Sequence, residues 1–141
     1  MDIGLIGIAA IFGLSALGSG LGARVAGLSA IGAWKRNYMA NKPASFLLVA
    51  FAGAPLTQTI YGFLLMNQMR ASSADPLLLA VIGIISGAAI AMSAVAQGKA
   101  SASSCDAYGE TGKGFGQYIT VVGLCETVAL FVMVFTFIAV G

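Results

Sequence analysis

The chain has 141 residues, 59% of them hydrophobic and 9% charged, with a mean hydropathy of +0.95. This balance lies well outside that of soluble domains and places the chain in a membrane. A net charge of +2 on so few ionisable groups implies no nucleic-acid partner, and with no histidine and only two cysteines no spacing suits zinc.

Apolar runs at 3–33, 45–69, 76–100 and 117–140 each suffice to cross a ~30 Å hydrocarbon layer as a helix of about 20 residues. None alternates as a β-barrel strand would, and backbone in lipid must otherwise satisfy itself within helices. The predicted fold class is therefore an all-α membrane protein. Its four transmembrane helices form two hairpins, 1–72 and 73–141, and leave no room for a soluble catalytic domain. The first run lacks a basic start, Asp2 being the only early charge, and is too long for a signal peptide, so it is taken as a mature helix. Lys35, Arg36 and Lys42 fall in the link after run one, and Lys99 and Lys113 around the link after run three. The middle link has only Arg70 against Asp75. The positive-inside rule then puts the two basic links in the cytoplasm and both termini outside, in a multi-pass protein of the cell membrane. Cys105, in a link, and Cys125, in a span, sit at different depths and are expected to be free thiols.

Small residues are unevenly spread. Run one contains GLSALGSGLGARVAGLSAIG, with Gly13, Gly18, Gly22, Gly27 and Gly32, and run three contains IGIISGAAIAMSAVAQGKASAS. Such faces let helices approach closely in lipid, where packing drives association. Runs two and four carry Phe46, Phe51, Tyr61, Phe63, Phe115, Phe131, Phe135 and Phe137 instead. The order small, bulky, small, bulky predicts a duplication. A shift of 68 residues without a gap places Gln58 on Glu126, Thr59 on Thr127 and Phe63 on Phe131.

The polar residues within the runs can then be placed by geometry. Gln97 and Glu126 are about equally far from Gly112 in the turn-like GETGKG, so they share a depth on antiparallel helices. Ala54, Thr57, Gln58 and Tyr61, in GAPLTQTIYGF, follow i, i+3, i+4, i+7 spacing on one face, and the repeat brings that face to the carboxylate. Pro55 removes a backbone donor and is expected to leave a carbonyl such as that of Phe51 free. A charge near the bilayer centre costs at least ~2.5–3.5 kcal/mol, and no lysine or arginine lies at matching depth. Glu126 must therefore be neutralised by a proton, a metal ion or a positive group from another subunit. A proton needs only the carboxylate, whereas Glu126, Gln97, Gln58, Thr57 and the Ala54 carbonyl offer about five oxygens, a surplus that favours an alkali cation. The plainer reading is that these side chains merely bond across helices, at ~1 kcal/mol or less each.

Two motifs are set aside. GSGLGA at 18–23 lies within an apolar helix with no preceding strand, and in GETGKGFG the position five before Gly112 is Ala107 while Lys113 precedes glycine, so neither a dinucleotide site nor a phosphate loop is formed. Arg24 is expected to snorkel or to line an interior channel.

PLTQTIYGF, SAVAQGKASAS and GLCETVALF, within a duplicated small-then-bulky hairpin, resemble the proteolipid (K or c) subunit of V-type ATPases over essentially the whole chain, and more narrowly its sodium-pumping bacterial branch. The resemblance implies a non-catalytic protomer of a homo-oligomeric rotor ring, with ATP hydrolysed by other subunits. It implies Glu126 as the essential ion-binding carboxylate, Gln97, Gln58 and Thr57 as side-chain ligands, Ala54 as a carbonyl ligand, and Tyr61 as the hydroxyl that holds Glu126. The carried ion would be Na+, or alternatively H+. The partners would be a stator membrane subunit with an essential arginine, central-stalk subunits against the basic links, and lipid. One carboxylate per four helices favours ATP-driven pumping. Two rivals are a small four-helix proton-coupled drug antiporter, which would be a dimer, and a purely structural membrane protein, in which Glu126→Gln would leave transport intact.

Overall fold

A computed structural model describes residues 2–141. Among them there is no strand, and four helices are long and apolar enough to cross a membrane. Helix α1 spans Gly4–Met39. The second span, Leu48–Ala71, is divided into α2 (Leu48–Gly53), one 3-10 turn (Ala54–Leu56) and α3 (Thr57–Ala71). Helix α4 is Pro76–Thr111 and α5 is Phe115–Val140.

Local chemistry sets the helix ends. The Asp75 carboxylate accepts the backbone N–H groups of Leu77 and Leu78 at 2.9 and 3.2 Å, with Pro76 in the first turn of α4. The turn expected in GETGKG is present: Gly112 and Gly114 take φ of +64° and +85°, where a side chain would be strained.

The most extensive contact joins α1 to α4, the two helices rich in small residues. A Cβ added to Gly83 would come 2.2 Å from the Gly7 carbonyl oxygen, and one added to Gly98 would come 2.4 Å from Gly22 Cα. Gly7 and Gly22 meet partners at the same sequence separation, so the two helices run parallel in a fixed register, backbone against backbone. The second span lies over the groove between α1 and α4, and α5 packs on α4 and α3. Ser86 and Thr136 share a hydrogen bond at 2.8 Å, and Ser93 Oγ donates to the Cys125 carbonyl at 2.7 Å, tying α4 to α5. Phe63, Phe131 and Phe135 are exposed at the perimeter, as the bulky pattern suggests.

Two expectations need correction. Helices α1 and α4 are each 36 residues long, roughly 54 Å at 1.5 Å per residue, so they continue well beyond a ~30 Å layer. Lys35, Arg36, Lys99 and Cys105 thus stand on helices rather than in links; Cys105 is buried there, and both cysteines are free. The 68-residue shift holds for the second helices only. Gly4 corresponds to Pro76 and Met39 to Thr111, because the link 40–47 is longer than 112–114 and the repeat needs a gap there. Unlike the perimeter rings, Phe51 is fully buried, and its ring lies 6.3 Å from Tyr108 and 5.1 Å from Phe115.

Arg36 and Asp106 form an ion pair where the long helices project, with side chains 56% and 58% exposed. Exposed pairs contribute about 0–1 kcal/mol. Asp106→Asn is therefore expected to shift the thermal unfolding midpoint by no more than about 2–4 °C, measured in detergent at moderate salt.

Candidate functional site

Glu126 lies near the middle of α5, about 16 Å along the axis from Phe115. The hairpin turn fixes the depth of α4 relative to α5, and with it places Gln97 beside the carboxylate. Gln97 Nε2 donates to Glu126 Oε2 at 3.1 Å and to the Val122 carbonyl at 3.0 Å. Gln58 Nε2 donates to Gln97 Oε1 at 2.8 Å. Thr57 Oγ1 lies 3.1 Å from both the Ala54 carbonyl oxygen and Gln58 Oε1. The Tyr61 hydroxyl donates to Glu126 Oε1.

All six predicted residues therefore meet in one hydrogen-bonded chain that begins at Ala54 and returns to the second span at Tyr61. Gln58 and Gln97 are fully buried, so their amides depend on these partners. Glu126, Thr57 and Tyr61 are half-buried toward the perimeter. Both Glu126 oxygens have a partner, Oε1 the Tyr61 hydroxyl and Oε2 the Gln97 amide. Pro55 acts differently from the expectation. The Phe51 carbonyl is not free but accepts the Ala54 N–H, and the chain tightens into the 3-10 turn. That turn leads straight into α3 and sets the Ala54 carbonyl beside the Thr57 hydroxyl.

Residues 80–139 match the family model for the C subunit of ATP synthases. A curated relative, A-type ATP synthase subunit K of Methanocaldococcus jannaschii, is 30% identical over 132 residues, covering 92% of this chain and 57% of its own length. The chain is similar to the C and K subunits of ATP synthases. The family match spans α4 and α5, which carry Gln97 and Glu126, while the similarity to the archaeal protein runs through both hairpins. The chain spans 57% of the curated relative's length.

Two contributors to the site escaped sequence reasoning. The Val122 carbonyl carries no side-chain signal. Ser93 does carry one: it stands one turn before Gln97 on the same face, and its hydroxyl anchors the Cys125 carbonyl next to Glu126.

Proposed function

We propose that the chain is a proteolipid, one protomer of a membrane rotor ring in which Glu126 carries Na+, driven by ATP hydrolysis in other subunits. The reading rests on the polar chain from Ala54 to Tyr61. It gathers one carboxylate with four uncharged oxygens, from Gln97, Gln58, Thr57 and Ala54, on a perimeter otherwise lined by Phe, Leu and Ile.

In this reading each group has a task. Cation binding makes the site electrically neutral, so it can pass through lipid. Gln97 and Gln58 supply amide oxygens, Thr57 and Ala54 complete the cage, and Tyr61 holds the carboxylate turned inward. Against a stator subunit that offers an arginine, the carboxylate exchanges the cation for the guanidinium, and the ring advances. Each ion moved against 100 mV takes about 2.3 kcal/mol from ATP hydrolysis. The projecting ends of α1 and α4 provide the surface for a central stalk.

Carbodiimide modification of Glu126 at neutral pH tests the ion. NaCl is expected to slow labelling roughly tenfold once it exceeds ten times its dissociation constant. Labelling that ignores NaCl but slows as the pH rises would replace Na+ by H+ and leave the rotor reading standing. A dimer instead of a ring on a native gel would favour the antiporter.

A further inference from the structure

Among the described residues, two buried side-chain oxygens have no hydrogen-bond partner, those of Ser19 and Ser101. An unpaired buried hydroxyl costs about 1–3 kcal/mol, so each needs a reason. Ser101 stands one turn beyond Gln97 on α4. Ser19 lies opposite the polar chain, as the register of α1 against the second span establishes.

A Cβ added to Gly62 would come 2.5 Å from Ser15 Cβ, and one added to Gly22 would come 2.8 Å from Pro55 Cβ. The two segments are antiparallel. Ser19 follows Ser15 by four residues and precedes Gly22 by three; Gln58 precedes Gly62 by four and follows Pro55 by three. The two are therefore level. Phe12, two turns before Ser19 on nearly the same face, meets Phe63 of α3 edge-on at 6.5 Å. Ser19 is 1% exposed and Gln58 0%, so both are sealed between these helices.

Gln58 Nε2 donates to Gln97 Oε1, while Gln58 Oε1 accepts from Thr57. A cation seated between the two amides draws both carbonyl oxygens toward itself and repels the N–H groups lying between them. Gln58 Nε2 must then turn away from Gln97 Oε1, and a buried amide proton needs another acceptor. We infer that Ser19 Oγ is that acceptor, a positioning residue on α1 that takes the Gln58 N–H when the cation is held. The inference rests on the cation reading of the site. It gives α1, which contributes no ligand, a share in ion affinity.

The test is carbodiimide labelling of Glu126 in the purified assembled protein, titrated with NaCl, for wild type, Ser19→Ala and Ser15→Ala. Ser15 lies one turn away, and its hydroxyl donates to the Ile11 carbonyl of its own helix at 2.7 Å. Its loss is expected to leave the sodium midpoint in place. Ser19→Ala is expected to raise the midpoint about three- to tenfold. Its thermal stability without sodium should not fall, because only an unpaired hydroxyl is removed. Ser19→Gly, which also lacks the hydroxyl, repeats the comparison without a side chain to pack. A Ser19→Ala midpoint within about twofold of a clearly protected wild type overturns the Ser19 assignment and leaves the cation reading intact. Failure of NaCl to protect the wild type overturns both.

Discussion

Glu126→Gln is expected to abolish ion transport in reconstituted membranes, to below about 1% of wild type, while the protein still assembles and inserts. The amide has the shape of the carboxylate and can keep hydrogen bonds to Tyr61 and Gln97, the partners of the two carboxylate oxygens. It has no charge to offset that of a cation and no proton to exchange. The cost of carrying an unneutralised cation through hydrocarbon, at least ~2.5–3.5 kcal/mol, alone reduces occupancy by about two orders of magnitude. Carbodiimide labelling should vanish with the carboxylate. Transport that survives this change at more than a tenth of the wild-type rate would remove Glu126 from the mechanism and favour a purely structural protein.

The second large effect concerns packing. Gly98→Ala is expected to disrupt the α1–α4 contact, because its Cβ would lie 2.4 Å from Gly22 Cα and from the Gly22 carbonyl oxygen. Those atoms are backbone, so relief requires the two helices to separate, at about 1–3 kcal/mol or more for overpacking of this kind. Gly116→Ala is the matched control, since nothing lies within 4 Å of the added Cβ. There alanine's better helix propensity is expected to leave stability unchanged or raise it by about 0.5–1 kcal/mol. Thermal unfolding in detergent, followed by circular dichroism, distinguishes the two. Equal behaviour of both variants would mean that α1 and α4 are not held by close backbone approach.

The number of spans and the depth of the site were legible because both follow from fixed lengths. A helix rises 1.5 Å per residue, so counting from a glycine turn locates Gln97 opposite Glu126 without any knowledge of the packing. The helix ends were less legible. SASSCDAYGET is too polar to count as part of a span, yet it stays helical because its Cys105 and Tyr108 pack with Phe51, and Arg36 pairs with Asp106. Hydropathy reports what can sit in lipid, not where a helix stops. Pro55 was read as a source of an open carbonyl, but a 3-10 turn offers a neighbouring N–H to the same oxygen at little cost, an adjustment that no residue pattern announces. The Val122 carbonyl and the Ser19 hydroxyl matter through register against another helix, which a single sequence does not print.

The glycine contacts between α1 and α4 have a mechanical consequence. Two parallel rods clasped at Gly7–Gly83 and again at Gly22–Gly98 resist bending and sliding far better than either alone. A sideways push on their projecting tips therefore reaches the level of Gln97 as bodily displacement, with little lost to flexure. Any compliance along the path of such a push has to reside outside this beam, in whatever grips its ends.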